Sequence, residues 1–411
     1  MQAVLLAGGR GTRLAPLTDS TPKVLVRVAG RPFLSHLAKA LSQQGVSRLL
    51  ILAGYKAEQL ITAAAAVPEG AMDMTVAIGD LNWSTGERLI HARAELEEQF
   101  LLLYSDNLAA FNLNRLRGHF DSGKFDVVLS VATKSPGNVS FVDEEPGQCR
   151  YWAGRRWPDA SRTELGFALI SRDVLLDELM RTDQDFPYAL QNLSHRGRVG
   201  ADQLHGPYLS ISEVPRLELT EKVLRRQKVM FLDRDGILNE RPSQGTYITA
   251  PEQLRIIPRN AEALATLARQ GIRLIVISNQ AGVGRGVMTM EQVDAVNDAL
   301  QERLSKYGVT LERIYTCPHG WDEGCVCRKP QPGMLHTAAD DLGIFLPRVI
   351  FVGDDVRDVE AGNAAGAQTI YISEASSPEF RQSPSRPTLG TFADLGEASD
   401  DIQCHFGEHA L

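Results

Sequence analysis

The sequence predicts an α/β protein of two three-layer domains, each with a largely parallel sheet between helices. Short apolar runs occur in both halves of the chain, for example at residues 3–7 and 229–232, and each is followed by a glycine or an acid. Helix-like segments with one apolar face separate these runs, as at residues 33–44 and 261–270. Buried strands that alternate with amphipathic helices are typical of Rossmann-like sheets, so we expect two such domains.

The length and charge of the chain limit its architecture and its partners. A chain of 411 residues is too long for one ordinary hydrophobic core and indicates two or three domains. The net charge of −8, with 23% charged residues, provides no polybasic face for nucleic acid or for an anionic membrane. No apolar run reaches the roughly 18 residues of a membrane span. Met1 leads directly into a strand, so we expect a cytoplasmic protein.

Composition predicts domains at residues 1–224 and 225–373, followed by a tail at 374–411. The charged segment 217–227 looks like a helix that joins the two domains, with the boundary near Arg225. Beyond Ser373 the sequence turns to serine, proline and acids, as in Ser376-Ser377-Pro378. Such segments bury little apolar surface, so we expect a loosely ordered tail.

Three apolar runs of the second domain end in polar residues. The runs and the residues that follow them are 229–232 with Asp233 and Asp235, 272–277 with Ser278 and Asn279, and 349–352 with Asp354 and Asp355. In an open parallel sheet, ligands bind beyond the carboxyl ends of the strands. We therefore expect these side chains to meet in one pocket, to which Arg328 and Lys329 can bring positive charge.

These side chains suit the hydrolysis of a phosphate monoester. Asp233 would attack phosphorus to form an aspartyl-phosphate, while Asp235 would protonate the leaving oxygen and later deprotonate the attacking water. Ser278, Asn279 and Lys329 would hydrogen-bond or neutralise the transferring group. A hard divalent cation would lie between the carboxylates and the phosphate oxygens, and Mg²⁺ is the ion that this set of oxygen ligands suits best.

The second domain resembles the haloacid-dehalogenase superfamily of phosphatases over residues 228–373. The motifs that carry the resemblance are, in order, Asp233-Arg234-Asp235-Gly236, Ser278, Lys329 and Gly353-Asp354-Asp355. Four motifs in the right order make the resemblance specific. It implies a haloacid-dehalogenase fold, with Mg²⁺ held by Asp233, Asp354 and the backbone carbonyl of Asp235.

A cluster of soft ligands precedes the two cations of this domain. Its members are Cys317, His319, Cys325 and Cys327. Three thiolates and an imidazole within one short loop suit a tetrahedral structural Zn²⁺. Because Arg328 and Lys329 follow at once, the ion would hold the segment that aims both cations at the substrate. We call residues 317–329 the zinc loop.

The zinc loop resembles the superfamily branch that contains D-glycero-D-manno-heptose 1,7-bisphosphate phosphatases and histidinol-phosphate phosphatases. Runs 278–286 and 328–335 look more like the heptose enzymes, whereas the five-residue spacer between His319 and Cys325 fits the histidinol branch equally well. We expect Gln280 to contact the substrate, and for a bisphosphate substrate our hypothesis assigns Arg328 and Arg285 to the phosphate that is retained. Asp355 departs from a lysine that many heptose relatives have.

The first domain carries a glycine-rich loop directly after its first apolar run. The residues expected to bind a nucleotide are Leu6, Ala7, Gly8, Gly9, Gly11, Thr12, Arg13 and Lys23. The glycines allow close approach of backbone N–H groups to a phosphate chain, and the two cations add positive charge. The helix and strand that follow supply the context of a phosphate-binding loop. A later strand ends near Asp106, which could hold Mg²⁺ against a nucleoside triphosphate.

Residues 1–224 resemble the sugar-1-phosphate nucleotidyltransferases in the run 6–14, in Pro22-Lys23 and in Asp106. The resemblance implies a nucleotidyltransferase fold and attack of a sugar 1-phosphate on the α-phosphate of a nucleoside triphosphate, with release of pyrophosphate. Arg13 and Lys23 would neutralise charge, and Glu164 would bind sugar hydroxyls. The chain departs from the family at residues 83–88, in the base-binding stretch, and at Ser210, in place of a second metal acid. The base therefore stays open.

Two hypotheses for the whole chain follow. In the first, the enzyme is bifunctional: it removes the 7-phosphate of D-glycero-D-manno-heptose 1,7-bisphosphate and transfers a nucleotidyl group to the resulting heptose 1-phosphate. In the alternative, the phosphatase acts on histidinol phosphate or another phosphomonoester, and the first domain only binds nucleotide or sugar phosphate and regulates it. Both need Mg²⁺ and structural Zn²⁺, and neither involves nucleic acid or membrane. The oligomeric state stays open.

Overall fold

The chain forms two compact units, Met1–Leu224 and Arg225–Leu411. The computed structural model describes residues 1–67, 72–182, 185–243, 245–373 and 385–407. Each unit has a central sheet covered by helices, which confirms the predicted α/β fold with two Rossmann-like sheets. None of the described helices is long and apolar enough to cross a membrane.

Unit 1 contains a nine-stranded mixed sheet and two small two-stranded sheets. The strands of this unit are β1 (Gln2–Ala7), β2 (Arg27–Val28), β3 (Arg31–Pro32), β4 (Arg48–Ala53), β5 (Asp73–Ile78), β6 (Gln99–Tyr104), β7 (Asn107–Leu108), β8 (Val127–Thr133), β9 (Val139–Phe141), β10 (Cys149–Tyr151), β11 (Arg162–Ser171), β12 (Val199–Gln203) and β13 (Leu209–Ser210). The large sheet has the order β10-β9-β11-β6-β1-β4-β5, and β8 joins β11 to β12.

Eight helices begin in unit 1, in the part that the structure describes. They are α1 (Leu17–Ser20), α2 (Phe33–Gln43), α3 (Ala57–Ala65), α4 (Thr85–His91), α5 (Leu113–Asp121), α6 (Arg172–Thr182), α7 (Phe186–His195) and α8 (Val214–Arg226). Asp185 caps the N-terminus of α7 through its side chain, as expected for an acid before the first turn. The predicted joining helix at 217–227 is α8, which begins earlier, at Val214.

The register of β1 determines which residues of unit 1 meet. This strand is parallel to both β4 and β6, with Leu6 opposite Leu52 and Tyr104. Its apolar side chains are buried almost throughout, which explains the continuous apolar run. Because β1 and β6 end at the same edge, the glycine-rich loop and the segment around Asp106 lie together.

Unit 2 is built on a six-stranded sheet in which every described pairing is parallel. Its strands are β14 (Val229–Leu232), β15 (Arg273–Asn279), β16 (Arg313–Cys317), β17 (Val349–Gly353), β18 (Gln368–Ile372) and β19 (Gly390–Phe392). Its helices are α9 (Pro258–Arg269), α10 (Met290–Ser305), α11 (Gly333–Leu342), α12 (Val356–Ala365) and α13 (Ser399–Phe406). The strand order is β16-β15-β14-β17-β18-β19.

The central position of β14 brings the polar strand ends together. Leu232 lies opposite Val276 on β15 and Val352 on β17. The residues that follow these three positions therefore reach one edge of the sheet, as the sequence predicts. All four residues of β14 are buried, in keeping with an inner strand covered on both faces.

The C-terminal segment is folded where it is described, so the prediction of a loose tail was wrong for residues 390–406. Strand β19 pairs with β18, and Ile402 and Phe406 of α13 are buried in the core of unit 2. The N–H group of Leu395 donates to Asn260 Oδ1 at 3.0 Å. A few apolar side chains pack this segment on the core. The sequence around them is mostly polar, so composition alone did not indicate a folded segment. The prediction for residues 374–384, including Ser376-Ser377-Pro378, and for 408–411 lies outside the described residues.

Candidate active sites

A cavity of about 600 Å³ lies at the carboxyl edge of the unit 2 sheet. Among its lining residues are five that the sequence predicts, namely Asp233, Asp235, Asn279, Lys329 and Asp355. The segment after β14 and the start of α12 supply further charged side chains. The cavity therefore joins the predicted nucleophile to acids and cations from several strands.

Asp233 and Lys329 form a buried ion pair at the base of this cavity. The Lys329 ammonium lies 2.7 Å from Asp233 Oδ1 and 2.7 Å from Asp358 Oδ1, and it donates to the carbonyl of Ile277 at 2.8 Å. Burial alone would lower the pKa of Lys329, but the two carboxylates raise it above its ordinary value. A fixed positive charge therefore sits beside the predicted nucleophile.

Asp235 is held by hydrogen bonds that favour its carboxylate form. It accepts from Arg234 Nη2 at 3.0 Å, Asn239 Nδ2 at 2.8 Å and Gln280 Nε2 at 3.0 Å. Burial would raise the pKa of Asp235, but the charge of Arg234 and these hydrogen bonds hold it below its ordinary value. The carboxylate is therefore oriented and favoured in its ionised form.

Three acids at this edge of the unit 2 sheet are close enough to hold one metal ion. Oxygen atoms of Asp233, Asp354 and Asp358 lie within 4.8 Å of one another. Burial and the charge of Asp233 raise the pKa of Asp354 to about 8, and its buried Oδ1 has no hydrogen-bond partner in the described chain. A divalent cation would pair with that oxygen and relieve the repulsion between the acids, so the residues fit a hard cation.

Sequence reasoning missed Asp358. It lies in the first turn of α12, beyond the strand end that carries Asp354, and is only 2% exposed. Burial raises the pKa of Asp358 to about 7, although Lys329 opposes the shift. The sequence did contain a signal for Asp358, namely an acid four residues after Asp354. The first turn of a helix that directly follows a strand lies at the same edge of the sheet as the end of that strand.

Gly236 allows the two acidic segments to approach each other. Its φ of +97° is one that side chains rarely adopt, and a Cβ atom at this position would lie 1.9 Å from Asp354 Oδ2. Only glycine meets both conditions. The glycine that follows Asp235 therefore keeps the metal-binding acids together.

The other predicted phosphate ligands, Ser278, Asn279 and Gln280, form hydrogen bonds within the site. Ser278 and Gln280 are each 1% exposed, and Gln280 Nε2 donates to Ser278 Oγ at 2.9 Å. Asn279 lines the cavity and exchanges two hydrogen bonds of 3.0 Å with the backbone of Lys329. In this structure Gln280 and Asn279 thus orient Asp235 and Lys329.

The four predicted zinc ligands form one cluster. Their ligand atoms lie within 4.8 Å of one another, and Cys327 Sγ is 3.3 Å from Cys317 Sγ and 3.5 Å from Cys325 Sγ. Burial raises the pKa of the Cys317 thiol to about 12. Three thiols and the imidazole of His319 at this spacing fit a tetrahedral soft-metal site.

Arg285 contacts residues that line the unit 2 cavities, and Arg328 lines one of them. The Arg285 guanidinium is 4.6 Å from the ring centre of Trp321, and its Nη1 donates to the Tyr247 hydroxyl at 3.1 Å. Arg328 donates to the carbonyl of His319 at 3.4 Å and lines a second cavity of about 540 Å³. This second cavity shares Lys329 with the main one.

Unit 1 has a cavity of about 390 Å³ at the end of β1. The predicted residues that line it are Leu6, Ala7, Gly9, Gly11, Thr12, Arg13, Lys23 and Asp106. The ammonium of Lys23 lies 2.6 Å from Asp106 Oδ2. Gly8 contributes to the loop differently, because its carbonyl accepts from the N–H of Tyr55 at 3.1 Å. The structure therefore gathers the loop, both cations and the acid around one cavity.

Ser210 occupies the neighbourhood where a second metal acid was expected. Strand β13 pairs with β7, so that Ser210 lies opposite Asn107, and the N–H of Ile211 donates to the carbonyl of Asp106 at 2.9 Å. Within the described part of unit 1, no three potential metal ligands cluster. A serine therefore lies on the strand beside the Asp106 segment, where the family resemblance implied a second carboxylate.

The departure at residues 83–88 is an ordered helix start. Ser84 and Glu87 form a capping box for α4, and the side chain of Arg88 donates to the carbonyls of Ala53 at 2.9 Å and Asp80 at 2.6 Å. Arg88 is only 7% exposed. The neighbouring Thr85 lines the cavity, so this helix contributes to the wall of the site.

Glu164 lies half-buried in unit 1, and its surroundings shift the pKa of its carboxyl group. Burial raises its pKa to about 7, although a hydrogen bond from the N–H of Gly166 opposes the shift. Its own N–H donates to Asn138 Oδ1 at 3.0 Å. The side chain therefore changes its charge near neutral pH, which an acid outside a protein would not do.

This shift predicts a pH-dependent stability of unit 1. Between pH 4.5, the ordinary pKa, and about 7, the folded protein keeps the Glu164 proton and the unfolded chain releases it. The free energy of unfolding should therefore fall as pH rises through this window, on the order of 1–3 kcal/mol. Denaturant titrations of Glu164→Gln should lack this fall.

Tryptophan fluorescence is a suitable readout, because three of the four tryptophans, Trp83, Trp152 and Trp157, lie in unit 1. The exposed Glu144→Gln is the matched control and should keep the fall. An equal pH dependence in Glu164→Gln and the unaltered protein would contradict the prediction.

Two family models match the chain. Residues 2–139 match the nucleotidyl transferase model, and residues 326–398 match the HAD-hydrolase-like model. The D-glycero-beta-D-manno-heptose-1,7-bisphosphate 7-phosphatase of Pseudomonas putida is 35% identical over 175 residues, which cover 43% of this chain and 99% of that protein. The chain belongs to this phosphatase family. The predicted resemblances of the two halves are thereby confirmed, and the protein is a haloacid-dehalogenase-type phosphatase fused to a nucleotidyl transferase domain.

Solved structures resemble each half of this heptose-phosphatase family member. D,D-heptose 1,7-bisphosphate phosphatase from B. bronchiseptica, complexed with magnesium and phosphate, is 28% identical with a TM-score of 0.39, and the match covers 43% of this chain and 98% of that one. UDP-glucose pyrophosphorylase from Acinetobacter baumannii is 17% identical with a TM-score of 0.44, and the match covers 55% of this chain and 94% of that one.

Proposed function

We propose that this protein is a bifunctional enzyme of nucleotide-activated heptose synthesis. Unit 2 removes the 7-phosphate from D-glycero-D-manno-heptose 1,7-bisphosphate, and unit 1 transfers a nucleotidyl group to the heptose 1-phosphate that results. The observation that carries the proposal is the presence in one chain of the Asp233–Lys329 cavity and the Lys23–Asp106 cavity. The product of the first reaction is the acceptor that the second requires, whereas histidinol has no anomeric phosphate.

In the phosphatase reaction, Asp233 attacks phosphorus and the sugar hydroxyl leaves. Lys329, whose positive charge is stabilised by Asp233 and Asp358, neutralises the phosphoryl oxygens. Mg²⁺, held by Asp233, Asp354 and Asp358 with the backbone carbonyl of Asp235, would supply further charge neutralisation when bound. Water then attacks the aspartyl-phosphate and regenerates Asp233.

Asp235 acts as acid and then as base in this scheme. It protonates the leaving oxygen in the first step and takes a proton from the attacking water in the second. The hydrogen bonds from Asn239 and Gln280 favour its carboxylate, which suits the second step. The negative charge of the incoming phosphate raises its proton affinity, which suits the first step.

In the nucleotidyl transfer, Arg13 and Lys23 neutralise the triphosphate on the glycine-rich loop. Mg²⁺ would be held by Asp106 together with phosphate oxygens and water, as this ion commonly is. The Lys23 ammonium lies 2.6 Å from Asp106 Oδ2, so the two groups face the same part of the cavity. Lys23 would contact a phosphate of the nucleotide, and Glu164 would bind the sugar hydroxyls.

Lys23→Ala should abolish most of the pyrophosphate release. Loss of a positioned cation at a phosphoryl group costs about 10²- to 10³-fold in rate. Phosphate release by unit 2 should not change. The exposed Lys124→Ala is the matched control, because it removes the same charge from unit 1 outside the cavity lining. Assays of both products on the full chain decide the outcome.

Ser210 beside Asp106 favours one alternative, a unit 1 that binds nucleotide or sugar phosphate without turning it over. In that case neither the unaltered chain nor Lys23→Ala would release pyrophosphate. Nucleotide would instead change the phosphatase rate, and Lys23→Ala would remove that response.

A one-pot assay tests the proposed function as a whole. The full chain is supplied with Mg²⁺, D-glycero-D-manno-heptose 1,7-bisphosphate and each of the common nucleoside triphosphates in turn, and phosphate, pyrophosphate and nucleotide-sugar are followed. We expect phosphate with every triphosphate and pyrophosphate with the one whose base unit 1 accepts. Phosphate from histidinol phosphate but none from the heptose substrate would refute the proposal.

A further inference from the structure

Four charged side chains of alternating sign lie in a row beside the main cavity, and three of them, Arg241, Asp355 and Arg357, line it. Arg241 Nε lies 3.3 Å from Asp354 Oδ2, and Arg241 Nη2 donates to Asp355 Oδ2 at 2.8 Å. Asp355 in turn accepts from Arg357 Nε at 2.8 Å and from Arg357 Nη2 at 2.7 Å. From the metal-binding acids outward, the order is therefore Asp354, Arg241, Asp355 and Arg357.

Asp355 fixes the orientation of Arg357. It accepts both side-chain hydrogen bonds of a fork and also the backbone N–H of Arg357 at 3.0 Å, as the cap of α12. A bidentate pair of this kind restricts the rotamers of the arginine before any ligand arrives. Because ordering long side chains is a large part of the cost of binding, a fixed guanidinium binds an anion more tightly than a mobile one.

Arg241 contacts the carboxylates of both Asp354 and Asp355, whereas Arg357 donates its side-chain hydrogen bonds to Asp355. The side chains of Arg241 and Arg357 are 47% and 48% exposed, so both remain accessible. Arg357 uses Nε and Nη2 on Asp355, and a ligand would be bound through Nη1. Guanidinium groups suit phosphate oxygens in both geometry and charge.

Arg357 lies where the two cavities of unit 2 meet. It lines the main cavity with Asp233 and also the second cavity with Arg328. A substrate whose first phosphate is at Asp233 would therefore bring a second anionic group within reach of Arg357. A substrate with a single phosphate would leave this position to water.

We infer that Arg357, positioned by Asp355 and Arg241, binds the second phosphate of the substrate and gives the enzyme its preference for a bisphosphate over a monophosphate. The inference rests on the proposed phosphatase function. Besides Arg328 and Lys329 of the zinc loop, Arg357 of α12 would then contribute to substrate specificity. Asp355 would act as a positioning residue.

The test compares Arg357→Gln with the unaltered full chain. The substrates are D-glycero-D-manno-heptose 1,7-bisphosphate and p-nitrophenyl phosphate. The ratio of their kcat/KM values should fall about 10- to 100-fold, as expected for the loss of one charge-assisted hydrogen bond, and mainly through KM for the bisphosphate. The control is Arg313→Gln on β16, a half-exposed arginine outside both cavity linings, which should keep the ratio.

Two further variants separate positioning from folding. Asp355→Asn keeps a good helix cap but loses the carboxylate charge, so it should lower the ratio less than Arg357→Gln does. Arg357→Lys keeps the charge without the fork and should recover part of the preference. Equal losses on both substrates would overturn the inference and leave the phosphatase in place. No phosphate from either substrate with the unaltered chain would instead contradict the proposed function itself.

Discussion

Asp233→Asn is expected to abolish phosphate release by unit 2, by at least about 10⁴-fold in kcat, as is typical when a nucleophile is removed. The amide has nearly the same volume as the carboxylate but cannot form the aspartyl-phosphate. Lys329 keeps its other acid, Asp358, at 2.7 Å, so the buried ammonium is not left unpaired. The fold should therefore persist.

Three measurements define this result. Phosphate release from the bisphosphate should vanish, while the melting temperature and the zinc content stay close to those of the unaltered chain. Asp341→Asn, which removes an exposed carboxylate from the end of α11, is the control and should retain full activity. Substantial turnover by Asp233→Asn would rule out the assigned nucleophile.

Cys325→Ser is expected to remove zinc from unit 2 and to lower its phosphatase activity. Structural zinc sites contribute roughly 10–16 kcal/mol of apparent binding free energy at neutral pH, which a site without one thiolate cannot retain. Without the ion, the zinc loop would no longer hold Lys329 in a fixed position. We expect kcat/KM to fall at least about tenfold, since the cations would no longer be held for binding.

Zinc analysis by mass spectrometry and phosphatase kinetics on the same preparation check this expectation. Cys404→Ser is the matched control, because Cys404 is exposed and lies outside the cluster. Pyrophosphate release by unit 1 should be the same in both variants. A Cys325→Ser protein that retains one zinc ion and full activity would show that the loop does not need the metal.

Much of the unit 2 site follows from sequence because strand ends are easy to recognise. The apolar runs end at Asp233, Ser278 and Asp354, and parallel pairing with equal register brings such ends to one edge. In unit 1 the same reasoning applies to Asp106, whereas Lys23 was expected from the Pro22-Lys23 motif, and the fold brings its ammonium to 2.6 Å from Asp106 Oδ2. Local pattern and sheet geometry together were sufficient in these cases.

Residues that act from helices and irregular segments were harder to predict. Asp358 belongs to a helix that begins at Val356. The start of this helix is marked by the capping box between Asp355 and Asp358, which sequence reasoning did not recognise. Arg241 lies in a segment without regular structure, and only the folded chain shows that it meets Asp354. Long side chains reach partners far away in sequence, and their direction depends on packing that composition does not reveal.

Strand β19 and helix α13 have a consequence for solubility. Without them, β18 would be the edge of the unit 2 sheet, and its five residues, Gln368–Ile372, are all buried and mostly β-branched or aromatic. Such an edge is a template for intermolecular pairing and aggregation. The three-residue β19 replaces it with a shorter edge, while Phe406 covers apolar surface beneath. A phosphatase unit cut after Ser373 would therefore expose an aggregation-prone strand, and one that extends through Phe406 would keep it paired.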